Sequence, residues 1–248
     1  MTNPLIVIIM AGGLGKRMNS NLPKVLHCIK EKPMLVHVVE QSLLLNPIKL
    51  LIVVGKYKEI IKNTLKTYMD ISNITFVLQS EALGTGHAIQ CCLPELYNCS
   101  QSTTVILSGD VPLLQHNTLT HFLQNNYQAT LMTTLLDNPT GYGRIIENNN
   151  IFTKIVEEKD CLLEEKQIKR VNCGIYAFHT ELLCKYIVNI DNNNSQQEYY
   201  LTDIIKLITL YEENTIIDTF DIAKEIQYQI MGINTPEQLS ELESFITL

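Results

Sequence analysis

The chain has 248 residues, of which 46% are hydrophobic and 18% charged, and its formal net charge is −7. These values are ordinary for one large globular domain, or a domain with an appended lobe, and they exclude wholesale disorder. Duplex-binding proteins usually carry a basic surplus, so we expect no nucleic acid partner. No run approaches the roughly 18 apolar residues that a membrane span needs, and residues 1–4 lack the basic start of a signal peptide. We therefore expect a cytoplasmic protein with no membrane partner.

The cysteines indicate a reducing environment. There are seven of them, and none forms a CxxC pair. An odd number without that spacing, in a chain this long, argues against a disulfide framework and against a structural zinc site. We expect buried, reduced thiols.

The first 110 residues alternate between short apolar runs and amphipathic stretches. The runs predict buried strands at 5–10, 50–54, 74–78 and 103–107. The stretches between them predict helices at 34–45, 58–69 and 86–96. This alternation is typical of a doubly wound, Rossmann-like α/β sheet.

The pattern changes after about residue 137. A turn-rich stretch at 138–143 leads into predicted strands near 144–146, 153–156 and 171–178, with an exposed charged stretch at 157–170. A polar loop, a helix, a strand and a last amphipathic helix are predicted at 189–195, 201–210, 215–220 and 236–245. We expect a mixed sheet whose first half spans about 1–137, a smaller second lobe at about 138–230, and a C-terminal helical segment at 231–248.

The strongest chemical motif follows the first strand, where Ala11-Gly12-Gly13-Leu14-Gly15-Lys16-Arg17 forms a glycine-rich loop. Ligands of open α/β sheets bind at the carboxyl ends of the strands, and glycines let backbone N–H groups approach phosphate oxygens. The loop is not a Walker A motif, because Lys16 is followed by Arg17, and it lacks the third glycine of a GxGxxG motif. With Lys24 just downstream, the cations suit a triphosphate whose α-phosphorus is attacked. The alternative is an ordinary strand-to-helix turn with solvated basic residues.

Two further groups follow the other strands. Asp110, after the fourth strand, is placed at the same crevice and could hold Mg²⁺, although Gly-Asp is often only a turn. The Gln79 side chain could hydrogen-bond to the edge of a flat base, and the small residues Gly84-Thr85-Gly86 could leave space for that base. His87 is more easily explained as a structural histidine than as a catalytic one.

The second half offers neutral and acidic polar groups that suit sugar hydroxyls. They are Gly143, Glu157, Asn172 and Thr202-Asp203. Each is a weak signal alone, because a charged stretch such as that near Glu157 is more often a solvated face. A phosphate monoester is already a nucleophile at neutral pH, so no general base is needed.

Together these motifs resemble the sugar-nucleotide pyrophosphorylases, a nucleotidyltransferase family. The family's GxGxR loop and Pro-Lys pair read here as Gly13-Leu14-Gly15-Lys16-Arg17 and Pro23-Lys24. The chain is most similar to the uridylyltransferase half of the bacterial bifunctional enzyme that makes UDP-N-acetylglucosamine. That closer resemblance rests on stretches 83–88, 109–113, 141–145, 155–160, 198–205 and 232–234.

The resemblance implies Mg²⁺-dependent transfer of UMP from UTP to N-acetylglucosamine 1-phosphate, with release of pyrophosphate. It makes Arg17 and Lys24 the catalytic residues that grip the phosphates, and Asp110 and Asn234 the Mg²⁺ ligands. The implied nucleotide-binding residues are Met10, Ala11, Gly12, Gly13, Gln79, Gly84, Thr85 and Gly109. The implied sugar-binding residues are Gly143, Glu157, Asn172 and Thr202.

The chain departs from the bifunctional enzymes in one main respect: it contains no hexapeptide repeats of the left-handed β-helix that carries their acetyltransferase. We therefore expect no acetylation activity, and a monomer or weak homo-oligomer. Alternatives are a nucleotidyltransferase for another sugar 1-phosphate or nucleoside triphosphate, and a non-catalytic nucleotide-binding module. The missing third glycine disfavours a Rossmann dehydrogenase.

Overall fold

A computed structural model describes residues 3–13, 15–18, 20–124, 127–148, 151–212 and 215–245. Leu14 of the glycine-rich loop and residues 246–248 of the predicted C-terminal segment lie outside the described residues. No helix in these ranges is long and apolar enough to cross a membrane.

The described residues alternate between strands and helices. The strands are β1 (Leu5–Met10), β2 (Cys28–Ile29), β3 (Lys32–Pro33), β4 (Lys49–Val54), β5 (Ile74–Leu78), β6 (Thr103–Ser108), β7 (Ala129–Leu135), β8 (Arg144–Asn148), β9 (Ile151–Val156), β10 (Arg170–His179) and β11 (Ile217–Asp221). The α-helices are α1 (Met34–Leu43), α2 (Lys58–Lys66), α3 (Thr85–Gln90), α4 (Leu93–Leu96), α5 (His116–Phe122), α6 (Thr180–Ile187), α7 (Asp203–Tyr211) and α8 (Pro236–Phe245).

One large sheet organises the molecule, with the strand order β11-β7-β10-β6-β1-β4-β5. Strands β6, β1, β4 and β5 are parallel neighbours, and β10 is antiparallel to both β6 and β7. β8 and β9 form a hairpin that pairs with the start of β10. This arrangement confirms the predicted mixed α/β sheet and brings the carboxyl ends of β1, β4 and β6 to one edge.

The sheet is buried on both faces because its central strands are continuously apolar. In β1, Val7 and Ile9 belong to one core, whereas Ile6 and Ile8 belong to the core on the opposite face. Alternate side chains of a strand point to opposite faces, so a run of aliphatic residues supplies both cores at once. The position of the glycine-rich loop is therefore fixed by a rigid central strand.

A third, smaller cluster lies against the C-terminal helix α8. Met18, next to Arg17, is buried there with Ile233 and with Leu242 of α8. At the cluster's rim, the Lys30 backbone N–H donates to the Glu243 carboxylate over 3.1 Å. The helix thus packs against the segment that follows the glycine-rich loop.

Several elements differ from the sequence-based expectations. The helix predicted at 86–96 is broken into α3 and α4, because Pro94 has no N–H for the carbonyl four residues earlier. Helices α5 and α6 and strand β7 were not predicted. Strand β7 escaped detection because the buried residues Thr130, Thr133 and Thr134 interrupt its apolar pattern.

The cysteines follow the expectation only in part. All seven are free thiols. Cys92 and Cys173 are buried, as expected, and desolvation raises the pKa of both thiols. Cys28 is exposed and the remaining four are partly exposed, so the prediction of general burial was wrong.

Candidate active site

The glycine-rich loop begins where β1 ends, and it is held to both neighbouring strands. The Ala11 backbone N–H donates to the Val53 carbonyl on β4 over 2.8 Å. On the other side, the Gly109 N–H donates to the Met10 carbonyl over 2.9 Å. These bonds bring the loop and the Ser108–Asp110 turn to the same edge of the sheet, where the topology predicts a ligand site.

Two glycines of the loop are required by close approach. A Cβ atom at Gly12 would lie 3.0 Å from the Gln79 side-chain oxygen. Gly15 has a φ of +60°, and a Cβ atom there would lie 2.6 Å from the Cβ atom of Lys24. A larger residue at Gly15 would displace Lys24, so the glycine and the lysine are structurally coupled.

A cavity of about 470 Å³ opens at this edge of the sheet. It is lined by Met10, Ala11, Gly12, Gly13, Lys24, Val25, Gln79, Ala82, Gly84, Thr85, Ala88, Ser108, Asp110 and Glu198. All the residues predicted to bind nucleotide are in this lining except Gly109. Gly109 instead packs below it, where an added Cβ would lie 3.2 Å from both the Met10 carbonyl and Leu35.

Gln79 is held in one orientation at the wall of this cavity. Its backbone N–H donates to the Val54 carbonyl over 2.8 Å, and only 7% of the residue is exposed. Its side-chain NH₂ group lies 3.0 Å from the Gly84 carbonyl oxygen and 3.2 Å from Nδ1 of His87. With both amide donors engaged, the acceptor oxygen faces Gly12. His87 thus orients Gln79, which agrees with a structural rather than a catalytic histidine.

The 84–86 turn is joined to the 199–201 segment. Gly84 has a φ of +114°, and the Gly86 N–H donates to the Tyr199 carbonyl over 2.7 Å. The Thr85 hydroxyl oxygen accepts a 3.0 Å hydrogen bond from the Leu201 N–H. One wall of the 470 Å³ cavity is therefore hydrogen-bonded to the segment that leads into Thr202.

The predicted phosphate and metal residues converge at the mouth of the cavity. The Lys24 Nζ atom contacts Asp110 Oδ2 and lies 3.0 Å from Asn234 Oδ1. Arg17 Nη2 donates to the same Asn234 oxygen over 2.9 Å. A small cavity of about 120 Å³ adjoins this group and shares Lys24 and Gly13 with the larger one. The four side chains can present two cations to an anion and two oxygen ligands to a metal cation.

The backbone around Asp110 and Asn234 is fixed from two directions. The Ile233 N–H donates to the Asp110 carbonyl over 3.0 Å. The Asn234 N–H donates to Gln238 Oε1 over 2.7 Å, within the first turn of α8. On the other side, the Ser108 hydroxyl donates to Asp110 Oδ1 over 2.6 Å. Lys24 therefore contacts the second carboxylate oxygen of Asp110, Oδ2, and the side-chain oxygen of Asn234, Oδ1.

The four predicted sugar-binding residues form a second group. The Asn172 N–H donates to the Gly143 carbonyl over 2.9 Å, and the Thr202 hydroxyl donates to Glu157 Oε1 over 2.9 Å. A Cβ atom at Gly143 would lie 3.4 Å from Glu157 Oε2, so the glycine leaves space beside that carboxylate. Asn172 Nδ2 donates to the Tyr176 hydroxyl over 2.6 Å. Hydrogen bonds join these residues in two pairs, Gly143 with Asn172 and Glu157 with Thr202, and Gly143 lies beside the Glu157 carboxylate.

The electrostatic environment of Glu157 differs from that of the group formed by Arg17, Lys24, Asp110 and Asn234. Burial raises the pKa of its carboxyl, and the charges of Asp203, Asp160 and Glu198 act in the same direction. The hydrogen bond from Thr202 opposes them and lowers the pKa. Glu157 is thus a poorly hydrated acceptor with few competing water contacts, which suits a sugar hydroxyl or amide donor.

An ion pair between buried Arg144 and partly exposed Glu158 supports the loop that carries Gly143. Arg144 is 1% exposed, and its Nη2 atom lies 2.6 Å from Glu158 Oε2, while Nη1 donates to the Tyr142 carbonyl. The same Glu158 oxygen accepts from the Gly141 N–H over 3.2 Å. This pair joins the 141–144 turn to the residue that follows Glu157.

A further cavity of about 520 Å³ lies on the outer side of Glu157. Of the four sugar-binding candidates, only Glu157 lines it; its other polar lining includes Asp160, Asp191, Asp203 and Lys206. Burial raises the pKa of Asp203 to about 6, with a further contribution from the charge of Asp191. The sugar-binding candidates are therefore brought together with one another, but they do not line a single cavity with the nucleotide-binding candidates.

Sequence reasoning missed several residues of this region. Glu198 lies within the quoted stretch 198–205 and Ser108 directly precedes the stretch 109–113, but neither received a role, although both line the 470 Å³ cavity. Gln238 stands three positions after Thr235, a spacing typical of a helix capping box, and that signal was present in the sequence. Tyr176, the partner of Asn172, had no signal, because its aromatic ring reads as ordinary core.

A metal ion could also be held by a cluster of acidic, histidine or cysteine side chains. Within the described ranges, no three His, Cys, Asp or Glu side chains lie together as a metal site. Beside Lys24, the described residues offer one carboxylate oxygen, from Asp110, and one amide oxygen, from Asn234.

Comparison with known proteins identifies the family. The family model described as "Nucleotidyl transferase" matches residues 6–220. A "Probable UDP-N-acetylglucosamine pyrophosphorylase" of Acanthamoeba polyphaga mimivirus is 43% identical over 249 aligned positions, covering 98% of this chain and 97% of the relative. The chain belongs to the nucleotidyltransferase family.

Other members of the family differ in length. The "Bifunctional protein GlmU" of Gloeothece citriformis is 43% identical over 94% of this chain, and that of Clostridium botulinum (strain 657) is 39% identical over 95%. This nucleotidyltransferase spans about half the length of these bifunctional relatives. The predicted resemblance to the uridylyltransferase half of the bifunctional enzymes is thereby confirmed.

A solved structure supports the fold independently. A putative glucose-1-phosphate thymidylyltransferase from Bacillus anthracis superposes with a TM-score of 0.72 over 97% of this chain and 94% of that one. The sequences are only 19% identical, so the similarity bears on the fold alone. It agrees with the mixed, Rossmann-like α/β sheet predicted from the sequence and with the nucleotide-diphospho-sugar transferase fold that the family resemblance implies.

Proposed function

We propose that this nucleotidyltransferase transfers UMP from UTP to N-acetylglucosamine 1-phosphate, making UDP-N-acetylglucosamine and pyrophosphate. The observation that carries the proposal is the convergence of Arg17, Lys24, Asp110 and Asn234 beside the nucleotide cavity. The choice of sugar rests on the viral relative, which is named as a probable UDP-N-acetylglucosamine pyrophosphorylase and matches nearly the whole chain.

In the proposed reaction, a phosphate oxygen of the sugar 1-phosphate attacks the α-phosphorus of UTP. The bond from the α-phosphorus to its bridging oxygen breaks, and pyrophosphate leaves with that oxygen and its electron pair. Arg17 and Lys24 stabilise the negative charge that develops on the phosphate oxygens. The enzyme forms no covalent intermediate, so positioning and electrostatics supply most of the rate.

Asp110 and Asn234 fit a magnesium ion, because the Lys24 ammonium already contacts one oxygen from each side chain. Both oxygens are therefore aimed at one cation position, and carboxylate and amide oxygens are ligands that Mg²⁺ accepts. The ion, when bound, would neutralise charge on the triphosphate. Ser108 would keep Asp110 in place through its 2.6 Å hydrogen bond.

The substrates divide between two parts of the chain. Met10 to Gly13, Gln79, Gly84, Thr85 and Gly109 form the nucleotide side, within about 1–137. Gly143, Glu157, Asn172 and Thr202 position the amino sugar, within about 138–230. The segment from 231 supplies Asn234, and α8 fixes that residue through Gln238.

The test is a pyrophosphate-release assay with UTP, magnesium and N-acetylglucosamine 1-phosphate. Parallel reactions contain glucose 1-phosphate or glucosamine 1-phosphate, or replace UTP with dTTP or ATP. A reaction with EDTA controls for the metal. We expect fast, EDTA-sensitive release with the acetylated sugar and UTP.

Each other outcome removes a specific part of the proposal. Release with another sugar only would overturn the roles of Glu157 and Asn172. Release with another nucleotide only would overturn the base-side assignment of Gln79. Nucleotide binding without any release would instead support a non-catalytic binding module.

A further inference from the structure

The Lys24 side chain occupies the position at which the two proposed metal ligands meet. Its Nζ atom contacts Asp110 Oδ2 and lies 3.0 Å from Asn234 Oδ1. The side chains of Lys24 and Asp110 are each 15% exposed, so water screens the pair only in part. The ammonium thus satisfies the charge of the carboxylate without any added ion.

A divalent cation cannot share this position with an ammonium group. Two positive charges between the same two oxygens would repel each other, and each oxygen would have to give up its hydrogen bond with lysine. Either the metal stays out, or Lys24 leaves. The metal stays out in the protein without nucleotide, because no triphosphate is then present to draw Lys24 away from Asp110 and Asn234.

Lys24 has both the reach and the freedom to leave. Its backbone starts a short 3₁₀ turn, which the buried side chains of Val25 and Leu26 anchor. The four-carbon stem carries the charge away from this anchor, and its torsions can rotate while the backbone stays fixed. Lys24 lines both the nucleotide cavity and the small cavity beside Arg17, so a triphosphate in either would offer it new oxygens.

We infer that Lys24 is a placeholder cation: in the nucleotide-free protein it holds the metal position, and it moves to the triphosphate when metal and nucleotide bind. This inference rests on the proposed function, which supplies the metal ligands and the triphosphate. Its consequence is a positive coupling between metal binding and nucleotide binding. The metal alone binds weakly, nucleotide strengthens metal binding, and by reciprocity the metal strengthens nucleotide binding equally.

Arg17 provides a matched control for this exchange. It carries the same charge and donates to the same Asn234 oxygen over 2.9 Å, but its hydrogen bonds do not include Asp110. Removing either cation changes the net charge of the site by one unit. Only the loss of Lys24 uncovers the carboxylate, so the two variants separate a placeholder from a general effect of positive charge.

The experiment measures Mn²⁺ binding to the nucleotide-free protein from the EPR signal of free Mn²⁺. Mn²⁺ accepts the same oxygen ligands as Mg²⁺ and is visible by this method. We expect Lys24→Met to tighten Mn²⁺ binding by about tenfold or more, within the usual range of coupling between sites. Arg17→Met should change the affinity by no more than about threefold.

The second arm repeats the titration with the α,β-methylene analogue of UTP, which cannot release pyrophosphate. In the unmodified protein the analogue should tighten Mn²⁺ binding markedly, because it removes Lys24 from the site. In Lys24→Met the analogue should give a smaller gain, because the position is already open. Circular dichroism of each variant verifies that the fold is retained.

The outcomes separate this inference from the proposed function. If Lys24→Met and Arg17→Met bind Mn²⁺ equally, or Lys24→Met binds no tighter than the unmodified protein, the placeholder role is overturned while uridylyl transfer can stand. The double variant Lys24→Met, Asp110→Asn should lose the gained affinity. If it keeps that affinity, the ion binds elsewhere and the metal assignment in the proposed function fails as well.

Discussion

The two ends of the candidate site are built in different ways. At the phosphate end, Arg17, Lys24, Asp110 and Asn234 come from distant parts of the chain and meet through charged side-chain contacts. At the sugar end, hydrogen bonds from hydroxyl and backbone groups hold the candidates, as between Thr202 and Glu157 and between Asn172 and Gly143. Charged side chains can exchange partners when a ligand arrives, whereas a bonded backbone presents a fixed pattern.

This difference matches the tasks assigned to each end. A triphosphate changes its charge distribution during transfer, so cations placed where that charge develops stabilise the transition state more than the bound substrate. A sugar ring is the same before and after the reaction, so its site can be a rigid template. We therefore expect substitutions at the phosphate end to lower kcat, and substitutions at the sugar end to raise the KM of one substrate.

The largest effect is expected from Arg17→Ala. Arg17 lies beside the small cavity and donates to Asn234, so its loss removes one cation from the developing charge. We expect kcat to fall by a factor on the order of 10²–10³, as when one main transition-state donor is removed, and Asp110→Ala should have a similar effect. Steady-state pyrophosphate release measures both.

The control for the loss of one positive charge is Lys185→Ala, because Lys185 pairs with Glu212 on the surface. It should leave kcat within about twofold, as surface pairs contribute little. Near-normal turnover of Arg17→Ala would remove Arg17 from the mechanism. A rise in the KM for the sugar phosphate alone would contradict the division between the two ends.

An intermediate effect is expected from Glu157→Gln. The amide preserves the shape and can still meet the Thr202 hydroxyl, but it loses the charge that strengthens a hydrogen bond from the sugar. We expect kcat/KM for the sugar phosphate to fall by about 10–100-fold, the range for one hydrogen bond to a charged group. The KM for UTP should stay within about twofold.

The matched variant is Glu164→Gln, an exposed acid in the same charged stretch. It should behave like the unmodified enzyme in both KM values. Equal losses for the two substrates in Glu157→Gln would show that Glu157 acts on the whole fold rather than on the sugar.

The smallest effect is a change in stability with pH from Asp203→Asn. Burial raises the pKa of Asp203 from its ordinary 3.8 to about 6, so the folded protein holds this proton more tightly than the unfolded chain. The free energy of unfolding therefore falls through this titration as pH rises from about 4 to 6. Asparagine cannot ionise, so the Tm of the variant relative to the unmodified protein should rise over that window and then level off.

Thermal unfolding across this pH range provides the measurement, with Glu181→Gln as the control. Both acids lie in the first turn of a helix, Asp203 in α7 and Glu181 in α6, so both variants lose a favourable interaction with the helix dipole. Only Asp203→Asn should show the stated pH dependence. A constant Tm difference between pH 4 and 7 would contradict the effect of burial.

The sequence predicted the central sheet well because its signal is local. Strand β1 has the predicted bounds, and the glycine-rich loop follows it. Strand β7 was missed because its buried threonines read as polar, although tertiary partners satisfy them; the Thr134 hydroxyl, for example, donates to the Ile222 carbonyl over 3.1 Å. Propensity and periodicity do not contain such long-range contacts.

Long-range contacts also escaped prediction in the candidate site. Motifs located the residue types, and the structure brings Arg17, Lys24, Asp110 and Asn234 together. Motifs did not indicate that Lys24 bridges Asp110 and Asn234, nor that His87 orients Gln79. These are contacts between distant or differently oriented side chains, which spacing along a chain does not encode.

The hydrogen bond from Arg17 to Asn234 joins residues 217 positions apart. A chain made from its N-terminus can form β1, β4 and β6 long before Asn234 is synthesised. The phosphate end therefore matures last, after the sheet that supports it, because α8 must also dock before Asn234 is held. We therefore expect a nascent chain that is folded over most of its length to lack the proposed activity until α8 docks and holds Asn234 beside Arg17.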